Sequence, residues 1–354
     1  MTAIDVILKK EIEEVRTPSV QYIHFNKDSI IHYFQGGLAD IKNGIAVDDT
    51  TTYHAFSVTK TFTALAVLQL AEQNKIDIDR PVINCLPDFP YSKHIAIRQL
   101  LTHTAGIPNP IPLNWIHLVN EDATFDRNKF FKEIISKNHK VKSKLNEKYA
   151  YSNLGYVLLG WLIEKVSGVR YEQYINTSII SKLGIGTNEL GFVIADPAKH
   201  AIGYHKRMSL SNLILGFFID KKKYMDKSEG KWTPFKPFYV NGTSYGGLIG
   251  TPGAFMKYIQ ALLQQDSKLL SAGYREMLLT RNYLKSDIET SMCLSWFAGQ
   301  LNGKTYFTHA GGGGGYYCEI RVYPEQALGS VIMFNRTGMR DERFLDKIDT
   351  YLIG

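Results

Sequence analysis

The chain has 354 residues, 44% of them hydrophobic and 21% charged, with a formal net charge of +7. That much apolar material can bury a substantial core, in one large domain or two smaller ones, and the composition excludes a disordered, collagenous or disulfide-stapled chain. The basic balance keeps a soluble protein dispersed; nucleic-acid binding would need a basic stripe, and the densest cluster, Lys221-Lys222-Lys223, is short and flanked by Asp220 and Asp226.

Taken in chain order, residues 3–16 place apolar positions at helical spacing and predict an amphipathic helix. Val20 to Tyr33 holds two β-rich runs, VQYIHF and SIIHYF, around Asn26-Lys27-Asp28, a hairpin signal, and GGLADIKNG continues as a loop or short strand. From Ser57 the run KTFTALAVLQLAEQ is rich in helix formers and apolar nearly all round, the mark of a helix buried on most sides; Asn74 can end it. Between Asp77 and about Tyr239 the pattern is mostly helices and long loops, punctuated at first by Pro81, Pro87, Pro90, Pro108, Pro110 and Pro112. Tyr156 to Val166 reads as a helix stopped by Gly168.

Leu213 to Ile219, LILGFFI, is too short to cross a bilayer. It is read as a core segment, with a lipophilic pocket wall or an interfacial anchor as the alternatives. After Gly253 a helix follows over AFMKYIQALLQQ. Strands then return: CLSWFAGQ and KTYFTHAG flank the two-residue turn signal Asn302-Gly303, and YYCEIRVY and LGSVIMFN pair around Pro324-Glu325. A helix from Asp341 to Leu352 closes the chain.

Strands therefore cluster at both ends and helices in the middle. The economical architecture is α+β: an antiparallel sheet built from both chain termini and flanked by helices, with an inserted mostly helical subdomain. The expected boundaries are residues 1–76 and 245–354 for the sheet subdomain, and 77–244 for the helical one with its long loops.

Cys85, Cys293 and Cys318 are odd in number and far apart, without metal-ligand spacing, so free thiols and no metal site are expected. The N-terminus MTAIDVILKKEIEEV lacks the basic and apolar regions of a secretory signal, and no apolar run is long enough for a transmembrane segment. A cytoplasmic location is the expectation; a periplasmic or secreted one requires a different N-terminus.

Three short patterns carry chemistry: Ser57-Val58-Thr59-Lys60, Tyr151-Ser152-Asn153 and His309-Ala310-Gly311. Singly each is weak. S-x-x-K recurs at Ser228 to Lys231, and Y-x-N recurs at Tyr174 to Asn176 and Tyr239 to Asn241. Context separates them. Ser57 starts the buried apolar helix, and Lys60 falls one turn later on the same face, where a nucleophilic hydroxyl would find a group to take its proton. Tyr151 and Asn153 directly precede an apolar helix, which suits a rigid turn that presents polar tips into a cleft. His309 ends a strand and is followed by the run Gly311 to Gly315. Glycine lets a ligand approach the backbone closely, although such a run also reads as a flexible loop.

The blocks FSVTKTFTALAVLQLAEQNKIDIDRPVINCLPDF, IAIRQLLTHTAGIP, AYSNLGYVLLGWLIEKVSGVRYEQYI, GGLIGTPGAFMKYIQALL and HAGGGGGYY, in this order, resemble the class C β-lactamase family of penicillin-recognising enzymes and esterases. The resemblance implies a β-lactamase/transpeptidase-like fold and acyl transfer without a cofactor. In it Ser57 is the nucleophile, and Lys60 and Tyr151 share the proton traffic. Asn153 orients the acyl-side amide, and His309, Gly311 and Gly312 border the substrate. The backbone N–H groups of Ser57 and Gly312 form the oxyanion hole. His103, in the Leu101 to Gly106 block, is read as structural. One departure matters: many relatives carry Lys where this chain has His309, and histidine is mostly neutral at pH 7.

The leading expectation is therefore an esterase-type hydrolase acting on a small-molecule ester or amide. The first alternative is a β-lactamase, D-alanyl-D-alanine carboxypeptidase or D-aminopeptidase acting on a β-lactam or D-peptide. An alternative of another class is a catalytically silent binding protein with the same fold.

Overall fold

The computed structural model describes residues 2–337 and 343–354. Thr2 caps helix α1 (Ala3–Glu13) in a reciprocal capping box with Asp5, which fixes where the helix starts. The helix stops at Glu13, short of residue 16, because Val15 turns into the left-handed region at φ 54°. The predicted hairpin follows as β1 (Ser19–Asn26) and β2 (Ile30–Asp40), and Gly36 to Asp40 belongs to the second strand rather than to a loop. A short β3 (Ile45–Ala46) pairs with its end.

From the other end of the chain come β4 (Phe297–Leu301), β5 (Lys304–Gly313), β6 (Tyr316–Tyr323) and β7 (Leu328–Phe334). The seven strands form one sheet in the order β4-β5-β6-β7-β1-β2-β3, with each neighbouring pair antiparallel. The sheet joins both termini through β1 and β7, as the clustering of strands predicts. Asn302 and Gly303 make the expected turn with φ of 49° and 74°. The preceding CLSW does not extend its strand: Ser295 sits at φ 71° and pairing begins at Phe297.

Alternation along these strands sorts two cores. Val20, Tyr22, Tyr317, Ile332 and Phe334 face α1 and the C-terminal residues Phe344, Leu345 and Ile348. Ile23, Phe25, Ile320, Val331 and Met333 face the larger core. That core holds α2 (Thr59–Glu72), α3 (Asn153–Ser167) and α4 (Pro252–Leu263). Every residue of α2 from Thr59 to Ala71 is buried, as its all-round apolar pattern requires, and Asn74 at φ 56° ends it. Helix α3 starts three residues earlier than its apolar periodicity indicates, because Ser152 caps it by accepting the Gly155 N–H, and Gly168 terminates it at φ 77°.

Of the two readings of the glycine run, the flexible loop is the one that fails: Gly311 to Gly313 are strand, and Gly314 and Gly315 (φ 48° and 93°) close the β5–β6 hairpin as a type I′ turn. One expectation needs correction. Leu213 to Ile219 is not a core segment: only Leu215 and Ile219 are buried. The start of the closing helix at Asp341 lies outside the described residues; the helix α5 runs over Asp346–Asp349. The three cysteines are free.

The C-terminal helix is held by charge as well as by apolar contact. Arg321 on β6 is fully buried and meets Glu319 at 2.8 Å and Asp346 at 2.7 Å. It also donates to the Tyr323 hydroxyl, which donates in turn to Asp349. Asp349 further accepts from Tyr22 and Ser330, so one carboxylate of α5 is tied to three strands. Removing the cation leaves Glu319 and Asp349 buried without a counter-charge. Arg321→Ala is accordingly expected to cost about 3–5 kcal/mol of folding stability. Urea denaturation checks this, and a loss under about 1 kcal/mol would show that the carboxylates do not depend on the guanidinium.

Candidate functional site

A cleft of about 900 Å³ opens between the edge of β5 and the helical part of the chain. Ser57, Tyr151, Asn153, His309, Gly311 and Gly312 all line it. Lys60 lies immediately behind Ser57, fully buried.

The placement of Ser57 depends on a strained turn. Ser57 does not cap α2; it occupies a 3-10 turn, Phe56–Val58, one residue ahead of the helix. Phe56 holds φ at 44°, a conformation that costs a non-glycine residue of order 1–3 kcal/mol. Packing offsets this, since the Phe56 ring sits among His54, Phe238 and Tyr316. Gly311 lets β5 close over the turn. A Cβ there would lie 2.1 Å from the Ala55 carbonyl oxygen and 2.7 Å from the Ser57 backbone nitrogen.

Lys60 Nζ is 3.0 Å from Ser57 Oγ, 2.8 Å from Asn153 Oδ1 and 2.8 Å from the Tyr245 carbonyl oxygen. No carboxylate pairs with it among the described residues. Burial alone pushes this amine well below the ordinary lysine range. All three partner oxygens can accept an N–H from this group; as a neutral amine it spends its two on Asn153 and Tyr245 and can turn its lone pair to the Ser57 hydroxyl. Three aromatic rings, of Tyr151, Tyr245 and Tyr156, lie 4.9–5.4 Å from Nζ and would soften the cost of a transient charge there. The Tyr151 hydroxyl donates to Ser57 Oγ at 2.8 Å.

His309 is buried at the end of the strand segment paired with β4, and its Nδ1 lies 2.8 Å from the Ala310 carbonyl oxygen. A carbonyl only accepts, so Nδ1 carries the proton and Nε2 is left as an acceptor. Burial, with the nearby Lys60 second, pushes the imidazole down to about 3. The ring is neutral at pH 7.

Strand geometry also orients Gly312. In a two-residue hairpin, Gly313 and Tyr316 form the closing hydrogen-bonded pair, so Gly312 and Tyr317 form the next, non-hydrogen-bonded one. The Gly312 N–H therefore points away from β6. Beyond Thr308 no β4 residue covers that edge of β5, which leaves this N–H on the cleft side.

Sequence reasoning missed several supports. Tyr245 contributes its backbone oxygen, which no side-chain pattern can signal. Asn109, in the proline-rich stretch, accepts from both the backbone and the side chain of Asn153 and so fixes its amide. His103 is structural, but close to the chemistry: its Nδ1 accepts the Ser152 N–H and its ring centroid is 4.4 Å from that of Tyr151. The discounted matches lie elsewhere. Ser228 is exposed and bonds Thr233, and the Tyr174 ring is core.

The family model of the Beta-lactamase family matches residues 4–351. Protein flp of Staphylococcus aureus strain N315 is 24% identical over 99% of this chain and 66% of its own length, so the chain spans slightly under two thirds of that relative. Among solved structures, the octameric penicillin-binding protein homologue from Pyrococcus abyssi superposes with a TM-score of 0.76 at 23% identity, over 94% of this chain and 73% of the other. The D-amino acid amidase from Ochrobactrum anthropi SV3, complexed with D-phenylalanine, superposes with 0.77 at 18% identity, over 99% and 96%. These superpositions share the mixed α/β architecture and its large antiparallel sheet. With the family model covering nearly the whole chain, the chain belongs to the Beta-lactamase family.

Proposed function

We propose that the chain is a serine acyl hydrolase that cleaves an ester or amide through a covalent intermediate on Ser57. The observation that carries this reading is the environment of Ser57 Oγ. It lies between a buried amine with no acid beside it among the described residues and a phenol that donates to it. Membership of the Beta-lactamase family supports the same chemistry.

The steps follow from the contacts. Neutral Lys60 takes the Ser57 proton as Oγ bonds to the substrate carbonyl carbon. The Ser57 and Gly312 N–H groups receive the developing oxyanion, and one such donor typically contributes roughly 3 kcal/mol to the barrier difference. The bond to the leaving group breaks, and that group departs with a proton delivered through Tyr151 and restored from Lys60. Water then adds to the acyl carbon as Tyr151 takes its proton and hands its own to neutral Lys60, the bond to Oγ breaks, and Ser57 regains a hydrogen from Lys60. The net change is hydrolysis. Asn153 holds Lys60 on one side and offers its amide to the acyl group on the other.

The cleft favours an uncharged acyl group. Its walls include Trp115, Leu215, Phe235 and Phe297, and His309 presents a neutral ring. A β-lactam or D-peptide is the second reading, favoured by the Arg343 side chain on the cleft wall, since a fixed cation suits a substrate carboxylate. Arg343 already faces Asp346 at 3.8 Å, which ranks this reading second.

A short-chain p-nitrophenyl ester and a chromogenic cephalosporin, each tested with wild type and Ser57→Ala, separate the two. The ester should be the faster substrate, and the variant should lose about 10³-fold or more in kcat/KM together with the acyl adduct seen by mass spectrometry. Full activity in the variant would refute the acyl-enzyme, and a faster cephalosporin would favour the second reading.

The pH profile tests the base. A lowered amine pKa means that the competent neutral form persists at pH values where an ordinary lysine, near ~10.4, is charged. Activity is therefore expected at neutral pH and lost as pH falls through the Lys60 pKa. His309, at about 3, stays neutral throughout, so His309→Gln lowers the rate but leaves the acid limb of kcat/KM in place. Lys60→Met should cost roughly 10²–10⁴-fold. An acid limb that disappears in His309→Gln would transfer the base role away from Lys60.

A further inference from the structure

Residues 208–218 leave more large apolar side chains in solvent than any other stretch of similar length among the described residues. Met208 is 91% exposed, Phe217 82%, Leu210 73% and Leu213 65%, and Ile214 and Phe218 add to them. The short helix Leu210–Leu215 presents its outer face to solvent while Leu215, on the inner face, lines the cleft, and Ile219 anchors the end of the segment in the core. Across the cleft wall, Pro112 and Leu113 line the same opening and Ile111 beside them is exposed. Soluble surfaces rarely gather apolar side chains so densely without a partner.

Charge indicates what the partner is. Lys206, Arg207, Lys222 and Lys227 bracket the apolar residues, are exposed and make no ion pair among the described residues. Lys221 turns its ammonium onto the Asn212 carbonyl and Lys223 pairs with Glu121, so these two are already engaged. The nearby acids Asp220 and Asp226 keep their negative charges, Asp220 while accepting the N–H groups of Lys222 and Lys223, and the six cations of residues 206–227 outnumber them. Leucine and phenylalanine flanked by lysine and arginine fit the boundary between headgroups and acyl chains of an anionic bilayer. A second copy of this chain fits poorly, because its own basic rim would meet the same rim.

We propose that residues 206–223 seat the molecule on an anionic lipid surface, with the side chains of Met208, Leu210, Leu213 and Phe217 entering the interface and the cleft mouth beside it. The segment thereby joins the substrate cleft to a lipid phase, through which lipophilic substrates can reach it. The docking itself does not depend on the acyl-hydrolase reading.

The test is co-sedimentation with vesicles of phosphatidylglycerol and phosphatidylcholine, against vesicles of phosphatidylcholine alone. Wild type should pellet with the anionic vesicles, and raised salt should weaken this by screening. The double variant Leu213→Asp/Phe217→Asp should lose about tenfold or more of its binding, and Lys206→Glu/Lys222→Glu a comparable amount. Both alter exposed side chains outside the cleft wall, so their thermal midpoints and turnover of a soluble ester should match wild type. Four outcomes overturn the proposal. They are no binding by wild type, equal binding to both vesicle types, undiminished binding by the apolar double variant, and a wild-type dimer that this variant converts to monomer.

Discussion

The interaction on which the site depends is the burial of an unpaired amine against a serine hydroxyl. A lysine side chain placed fully inside a protein normally demands a carboxylate, and Lys60 has none among the described residues. The alternative is to give up the charge, and its three neighbours can serve that form: two oxygens that take its N–H groups and one hydroxyl that can donate to its lone pair. Everything around α2 serves this condition. The helix is buried on every side, so water cannot reach Nζ, and the apolar runs of α3 and α4 supply the walls. A carboxylate introduced into this shell would stabilise the ammonium and remove the lone pair on which the proposed proton transfer from Ser57 relies.

The sheet contributes an edge and a fixed distance. Because β5 outruns β4, its last residues keep free backbone groups facing the strained turn at Phe56. The approach is so close that only glycine fits at Gly311, and the type I′ turn at Gly314 and Gly315 sets which residue of β5 turns its N–H toward the cleft. The buried Arg321 cluster acts on the opposite face of β6 and holds the C-terminal helix there. Strand order, turn type and side-chain size thus act together on the placement of one N–H group.

Much of this was legible in the sequence, for reasons tied to particular residues. Period-two runs and the Asn302-Gly303 dipeptide are local signals, and the strands they predict are present. The spacing of Ser57 and Lys60 survives although Ser57 sits in a 3-10 turn, because both an α-turn and a 3-10 turn keep residues three apart on one face. What escaped is long-range or carried by the backbone: the Tyr245 carbonyl, the Asn109 side chain that fixes Asn153, and the buried Arg321 inside the apparently ordinary strand YYCEIRVY. The glycine run stayed open between two readings because composition alone does not distinguish a flexible loop from a strand whose neighbour comes too close for a Cβ.

The reading of Leu213 to Ile219 failed in a more informative way. Hydrophobicity identifies residues that avoid water, and in a folded domain the usual refuge is the core. Here the short helix Leu210–Leu215 gives its inner face to the cleft, so its outer face has no core left to join. The residues that line a substrate cleft and those that meet an external apolar phase are then separated by the thickness of one helix. A single segment can bridge the two environments without any further structural element, which is why its sequence carries the signature of a core while its side chains lie outside it.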